Sequence, residues 1–443
     1  MLPAGRLSPA SMLVRDQSAA SAAIIPGRLF GDPLSVAGRR WARRDPVASA
    51  KSFEVKLINP MKPARRGLGD MGLSKGEGAA SEHYLVLDGL RGVAALCVVV
   101  MHVTLWFAPH KLLSGAGLAV DFFFCLSGFV VAHAYVWKLE QGMSLPKFLW
   151  LRLRRLYPLL FAGYAIGAVY ALATLLKGQP GGAAPSIWDI LSSFALSLFL
   201  IPHQNAHLGY PIFPLDGATW SLFFEIWINV LFAIFIVMAG FRRSRWIFLL
   251  MIAAGIAVCT RYETALQGFT LASFHVGVAR VCISFFIGVI LQNILKSKAL
   301  KLPETGSWIF PLLAAALVVC FVIQSYRGSR GFEMACILLI FPAIVILGTT
   351  AKSERLGRPL KMLGDLSYPL YILHGPVIFL IVGVGKQAHF FGDVSDPALL
   401  TVAAVGAVVI SWIVLKLYDE PIRAYLSRRV GASRTRAVPG LAG

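Results

Sequence analysis

The stretch DGLRGVAALCVVVMH (residues 88–102) has the apolar composition of a membrane-spanning helix, yet it contains Asp88, Arg91 and His102. Ionisable side chains are costly inside a bilayer, so they usually face the interior of a helix bundle and mark a site or pathway. Arg91 and His102 lie about three helical turns, or roughly 16 Å, apart on one face. For this helix alone, an Asp88–Arg91 pair and a hydrogen-bonded core histidine explain the same residues without any function.

The composition around this stretch indicates an integral membrane protein. Of the 443 residues, 57% are hydrophobic and 14% are charged, against about 25% charged residues in soluble domains. The net charge is +20, and within the apolar part of the chain the basic residues cluster in short loops between apolar segments, which is typical of cytoplasmic loops and does not indicate nucleic-acid binding. The six cysteines lie in or beside apolar runs without a CxxC pair, which predicts free thiols and no metal site.

Apolar runs of about 20 residues predict an all-α, polytopic membrane bundle of about ten transmembrane helices. The predicted spans lie near residues 85–107, 117–137, 156–176, 217–240, 245–260, 274–295, 307–325, 332–350, 367–385 and 398–418. The run 188–201 is short for a span, and if it crossed the bilayer every later basic loop would lie outside. We therefore expect it to be re-entrant or to lie at the outer surface, with both termini cytoplasmic.

The chain divides into a tail, a membrane domain and a second tail. Residues 1–80 are basic, rich in Ala, Gly, Ser and Pro, and lack the apolar core of a signal peptide, which predicts a disordered cytoplasmic segment. Residues 84–428 form the predicted membrane domain, and 429–443 a cytoplasmic tail. Met61 and Met71 are alternative start sites, and we expect no soluble catalytic domain after the membrane domain.

Further polar side chains occur within the predicted spans, which favours a polar cavity over an isolated structural ion pair. We expect an inner layer of this cavity with Arg91, His374, Arg152 and Arg155, and an outer layer with His102, Asp121, Glu225 and Arg280. The other residues that we expect at this cavity are Trp220, Ser221, Ser367, Tyr368 and Tyr371. The outer layer would hold a general base and its orienting carboxylate. Arg152 and Arg155 are one turn apart and suit phosphate oxygens, although membrane anchoring explains them equally well.

Five motifs in order, LDGLRGVAALCVVVMH, VDFFFCLSGFVV, RLRRLYPLL, TWSLFFEIW and LGDLSYPLYILHGPV, resemble the acyltransferase-3 family of bacterial membrane O-acyltransferases. The resemblance covers residues 84–420. It implies transfer of an acyl group, usually acetyl, from cytoplasmic acyl-CoA to a sugar hydroxyl near the outer face, without a metal. It also implies the bacterial inner (cytoplasmic) membrane, with membrane lipids, a glycan acceptor and glycan-synthesis enzymes as partners, and no nucleic acid.

The resemblance also implies roles for single residues. The family's Arg–His pair falls on Arg91 and His102, its paired arginines on Arg152 and Arg155, its Trp-Ser-Leu-x-x-Glu motif on Trp220, Ser221 and Glu225, and its late Ser-Tyr and His on Ser367, Tyr368 and His374. Ile226 stands where many members have a second acidic residue. We expect Arg91, Arg152 and Arg155 to bind the CoA phosphates. His102 would act as general base or carry the acyl group, and Glu225 would orient the histidine or the sugar.

Three alternatives stay open at this point. Ionisable residues on several helices also suit a transporter or flippase without its own chemistry, although no internal repeat is visible in the sequence. An acyltransferase acting on a lipid, peptide or antibiotic, or using succinyl-CoA, would carry the same motifs. A structural or regulatory membrane subunit would not need His102 and Glu225 inside its spans.

Overall fold

Long apolar helices form most of the described chain, which comprises residues 84–178, 184–209, 211–297, 302–352, 356–387 and 393–435 of a computed structural model. The helices are α1 (Leu85–Phe107), α2 (Ala119–Glu140), α3 (Leu145–Lys177), α4 (Ile187–Leu198), α5 (Thr219–Cys259), α6 (Phe274–Lys296), α7 (Ile309–Arg327), α8 (Arg330–Gly348), α9 (Gly357–Gln387), α10 (Pro397–Val414) and α11 (Glu420–Thr435). A parallel pair of two-residue strands joins Thr305–Gly306 to Ala351–Lys352. The predicted tail at 1–80 lies outside the described residues.

The number of membrane-spanning helices confirms the sequence prediction. Nine helices in the described ranges are long and apolar enough to cross a bilayer, counting α10 with its continuation into α11 as one. The longest of the nine, α5, bends at Gly240, whose φ of +66° is a left-handed conformation that suits glycine. Its two halves each have the length of a span, so the described chain contains ten potential crossings, as predicted.

Two helices are longer than predicted at the same end of the bundle. We call the end at which α1 begins the inner end and the opposite one the outer end. Here α3 begins at Leu145 and α9 at Gly357, about ten residues before the predicted starts, because their first turns are polar and extend past the apolar segment. The last helix likewise continues to Thr435, beyond the predicted domain end at 428.

Close glycine contacts hold α2 against α6. A Cβ atom on Gly128 would lie 1.9 Å from the carbonyl oxygen of Phe285, and one on Gly288 would lie 2.0 Å from that of Cys125. Lipid tails are as apolar as leucine, so helices in a bilayer associate through this kind of close packing of small residues. The six cysteines are buried and free, as predicted.

The short helix α4 enters the bundle beside α3 and the chain then turns back. Phe194 packs on Phe161 with ring centroids 6.0 Å apart, and the Tyr157 hydroxyl donates to the Leu198 carbonyl. Tyr157 lies about 30 Å along α3 from the outer end at Lys177. After α4 the chain returns to the start of that helix, where Asn205 donates to Asp189 over 2.8 Å. This course matches the re-entrant alternative for residues 188–201.

Candidate active site

A close crossing of α1 and α9 brings Arg91 to Ser367. A Cβ atom on Gly92 would lie 2.6 Å from the Leu363 carbonyl oxygen, so only glycine lets the two helices approach this closely. Arg91 Nε donates to Ser367 Oγ over 2.6 Å and its Nη2 donates to the Gly364 carbonyl over 2.8 Å. Asp88 lies 3.5 Å from the same guanidinium. Arg91 is therefore fixed by partners within the chain.

The same two helices pair His102 with His374 nearer the outer end. Nε2 of His374 lies 3.0 Å from Nδ1 of His102, and the rings are 4.8 Å apart. His374 was expected in the inner layer, and this expectation was wrong. Because α9 starts at Gly357, His374 lies about 26 Å along the helix, which places it at the level of His102.

Hydrogen bonding determines the tautomers of the neutral pair. Nδ1 of His374 contacts only carbonyl oxygens, those of Tyr371 at 2.7 Å and Leu370 at 3.1 Å, so this nitrogen carries the proton. Its Nε2 must then accept the Nδ1 proton of His102, which also lies 3.1 Å from the Val98 carbonyl. The lone pair of His102 is consequently on Nε2, which is the arrangement of a general base.

Glu225 binds an arginine and a serine and does not orient His102. Its Oε1 accepts a 2.6 Å hydrogen bond from Ser127 and lies 3.5 Å from Nη2 of Arg152. The predicted outer position of Glu225 was wrong because the segment before α5 enters the bundle. The Leu215 carbonyl packs against Gly167, so α5 begins inside the bundle and not at its outer surface.

A cavity of about 100 Å³ lies between Arg91, Glu225 and Tyr371. Its polar lining comprises Arg91, Ser127, Arg152, Arg155, Ser221, Glu225, Ser367, Tyr368 and Tyr371. The Tyr368 hydroxyl donates to the Leu156 carbonyl over 2.7 Å and so joins α9 to α3 along the wall. The structure therefore gathers most of the predicted polar residues around one narrow space.

Tyr371 and Ser221 lie between this cavity and the histidine pair. Ser221 Oγ donates to the Ala218 carbonyl over 3.2 Å, so the 2.7 Å contact with Tyr371 is a hydrogen bond that Tyr371 donates. The Tyr371 ring is 6.1 Å from the ring of His374, one turn further along α9. Tyr371 thus belongs to the cavity wall and lies one helical turn from His374, while neither histidine is among the described residues that line the cavity.

Asp121 and Arg280 form a separate, fully buried ion pair. Arg280 Nη2 lies 2.6 Å from Asp121 Oδ2, and its other nitrogens bond to Asp121 Oδ1 and the Gln267 carbonyl. Trp220 covers this guanidinium at 5.4 Å. Among the described residues these three do not line the cavity, in contrast to the expectation, because Arg280 is held by Asp121 and by the carbonyls of Gln267 and Gly117 away from it. They join α2 to α6 as a structural unit.

The sequence did not single out Ser127 or Asp216. Ser127 belongs to the VDFFFCLSGFVV motif, and a polar side chain in that apolar segment was the signal that could have identified it. Asp216 precedes α5 and accepts from the Ala218 amide and the Thr219 hydroxyl, both at 3.2 Å. Burial of this carboxyl raises its pKa to about 7. Nothing in the sequence shows that the preceding loop is buried.

Comparison with known proteins shows the class to which this site belongs. A family described as an acyltransferase domain, acyltransferase-3, matches residues 84–416. The chain therefore belongs to the acyltransferase-3 family. Arg91, His102, Arg152, Glu225 and His374 all lie within the matched range.

Three relatives illustrate the range of the family. "Protein 2 in picA locus" of Rhizobium radiobacter is 38% identical over 160 residues, covering 34% of this chain and 82% of that protein. Peptidoglycan O-acetyltransferase OatA of Listeria monocytogenes is 26% identical over 368 residues, 76% of this chain and 55% of its own length. Exopolysaccharide production protein ExoZ of Rhizobium meliloti is 27% identical over 308 residues, 67% of this chain and 88% of its own. The chain thus spans about half of OatA. No solved structure matches it.

Proposed function

We propose that the protein transfers an acetyl group from acetyl-CoA, taken up at a cytoplasmic inner end, to a hydroxyl of a surface polysaccharide or lipid-linked sugar. The bacterial cytoplasmic membrane is the proposed location. Relatives named for peptidoglycan O-acetylation and exopolysaccharide production support this acceptor class. The basic loops at the inner end support its cytoplasmic orientation.

The observation that carries the proposal is the hydrogen-bonded histidine pair. His374 holds the proton of His102 on Nδ1, so the opposite nitrogen of His102 is available to accept a proton from the acceptor hydroxyl. An isolated core histidine would satisfy both nitrogens within the protein. Among the described residues, Nε2 of His102 has no hydrogen-bond partner.

The atoms and protons of the transfer step balance with His102 as the only proton carrier. His102 Nε2 takes the proton of the sugar hydroxyl as that oxygen attacks the thioester carbonyl carbon. The carbon–sulfur bond breaks, and the protonated Nε2 returns the proton to the departing thiolate of CoA. A route in which His102 Nε2 itself carries the acetyl group uses the same geometry and remains the alternative.

Tyr371 is the proposed hydrogen-bond donor to the thioester oxygen. Its hydroxyl lines the cavity and donates to Ser221 in this structure. When the thioester reaches the end of the cavity, the same proton can be redirected to the carbonyl oxygen on which negative charge develops. Arg91 and the Arg152–Glu225 pair lie along the proposed path of the pantetheine arm of acetyl-CoA.

The test is transfer of labelled acetyl from acetyl-CoA to envelope glycan in isolated membranes carrying wild-type protein or His102→Ala. Loss of the general base should lower transfer by at least about 100-fold. His110→Ala is the matched control, since this histidine is exposed in the loop after α1. Wild-type membranes that transfer no label, but export acetylated glycan made elsewhere, would overturn the proposal in favour of a transporter.

A further inference from the structure

Four aromatic side chains from α1, α3 and α9 lie together towards the outer end of the bundle. They are Trp106, Phe107, Tyr170 and Phe379, and we call them the aromatic cluster. The ring of Phe379 lies 4.6 Å from that of Trp106, 5.7 Å from that of Phe107 and 5.6 Å from that of Tyr170. Rings at these centroid distances are in contact. All four side chains are also partly exposed, so part of each ring is left uncovered by the protein.

The aromatic cluster ends on the candidate general base. Trp106 follows His102 by one turn of α1, and the two rings are 4.5 Å apart. Phe379 follows His374 by five residues of α9, so Trp106 and Phe379 lie about 6 to 8 Å nearer the outer end than the two histidines. Among the described residues, the four members of the cluster do not line the cavity of the candidate active site. The cluster is therefore a separate surface on the outer side of the histidine pair.

Three polar atoms at this surface have no hydrogen-bond partner in the described part of the chain. They are Nε2 of His102, Nε1 of Trp106 and the hydroxyl oxygen of Tyr170, and none of them is fully buried. By contrast, the hydroxyl of Thr104 on the same helix donates to the Leu112 carbonyl over 3.0 Å. One free acceptor and two free donors beside uncovered aromatic rings suit a ligand that carries both apolar faces and several hydroxyl groups.

We propose that the aromatic cluster binds a sugar ring of the acceptor, an inference that rests on the proposed transfer to a sugar hydroxyl. A sugar ring carries C–H groups on its faces and hydroxyl groups around its edge. The C–H groups pack on the electron-rich faces of aromatic rings, and the hydroxyl groups pair with the donors of Trp106 and Tyr170. One further hydroxyl then lies at Nε2 of His102, which positions it for removal of its proton. The acyl chain of a lipid would match the rings but leave both donors without partners.

Steady-state transfer by the purified full-length protein in phosphatidylcholine nanodiscs tests the proposal, because both faces are accessible there. The acceptors are soluble envelope polysaccharide and lipid-linked sugar from the same cells, both deacetylated beforehand with mild alkali. KM is measured for each acceptor and for labelled acetyl-CoA. The variants are Tyr170→Phe, which removes only the hydroxyl, and Trp106→Phe, which removes the indole N–H and keeps a ring beside Phe379.

We expect each variant to raise KM for both acceptors by about threefold to tenfold, the value for one hydrogen bond between uncharged groups. KM for acetyl-CoA should not change, because the aromatic cluster lies outside the cavity. Tyr326→Phe and Trp246→Phe are the matched controls. Their side chains are 76% and 63% exposed on other helices, so both controls should match the wild type.

Four results would overturn the inference. Unchanged acceptor KM values in both variants of an active protein would place the acceptor elsewhere and leave the proposed function intact. A lower kcat with unchanged acceptor KM would show that Trp106 only positions His102. A higher KM for the lipid-linked acceptor alone would show that the cluster holds its lipid chain. A wild type that acetylates neither acceptor would remove the proposed function as well.

Discussion

At the scale of single residues, the hydrogen bond between His102 and His374 leaves the lone pair of His102 on Nε2. The motif that contains His102 therefore holds a candidate general base. The spacing of Arg91 and His102 predicted a shared helix face, and the structure agrees. The sequence could not show that His374, rather than Glu225, lies against His102, because that contact depends on where α9 starts. Side chains on different helices are brought together by helix ends and crossings, which local sequence determines poorly.

Replacement of His374 tests its positioning role. His374→Phe removes the acceptor for His102 Nδ1, while the Val98 carbonyl still accepts from that nitrogen. The loss of one hydrogen bond should lower kcat for acetyl transfer by about threefold to tenfold with an unchanged KM for acetyl-CoA. His374→Gln, whose amide oxygen can accept from His102, should recover part of the rate. Equal rates for His374→Phe and the wild type would contradict the role.

Replacement of Tyr371 tests the donor at the end of the cavity. Tyr371→Phe keeps the ring beside Phe123 and removes only the hydroxyl. A lost donor to a developing oxyanion should lower kcat by about 100-fold and leave the affinity for coenzyme A unchanged. Tyr326→Phe, at a tyrosine that is 76% exposed, is the control. A change in affinity with an unaltered kcat would show that Tyr371 only shapes the cavity.

At the scale of elements, the sequence predicted the helices better than their ends. The ten apolar segments were identified because a bilayer requires about 20 consecutive apolar residues. The starts of α3 and α9 were missed because polar, basic turns continue a helix without an apolar signal. The buried segment before α5 was missed for a related reason. Its burial depends on Gly163 and Gly167 of α3, which give Asp216 and Leu215 room to pack.

The buried carboxyl of Asp216 predicts how stability depends on pH. Its pKa is raised by burial to about 7 in the folded state, from 3.8, so the folded state holds the proton more tightly than the unfolded state. Stability should therefore fall as pH rises from about 4 to about 7, and then level off. Asp216→Asn keeps an oxygen acceptor and should melt at least about 2 °C higher than the wild type at pH 8. A lower melting temperature for this variant at pH 8 would show that the ionised carboxylate is stabilising.

The re-entrant course of α4 predicts labelling from one side of the membrane. The native cysteines are buried, so single exposed cysteines can be detected above a low background. Ala206→Cys should react with an impermeant maleimide at the outer face, and Arg243→Cys only at the inner face, because a re-entrant α4 leaves 206 outside. Essentially complete labelling, more than about tenfold above background, is expected for each exposed site. Reaction of Ala206→Cys only in inverted vesicles would show that α4 crosses.

At the scale of the whole molecule, the proposed function requires a path from a donor at the inner end of the bundle to an acceptor at the outer end. The cavity lined by Arg91 and Arg155 lies nearer the inner end, and the histidine pair lies nearer the outer end. The ordered motifs predicted the family, which the match over residues 84–416 confirms. The cytoplasmic orientation of the inner end stays a prediction from the charge distribution.

The most direct test of transfer across the membrane uses sealed vesicles of opposite orientation. Labelled acetyl-CoA, which does not cross membranes, is supplied from outside to inverted and to right-side-out vesicles, and label in the glycan fraction is measured. Inverted vesicles with wild-type protein should incorporate label at least about 100-fold faster than those with His102→Ala. Right-side-out vesicles should incorporate none. Equal incorporation in both orientations, or undiminished incorporation with His102→Ala, would contradict the account.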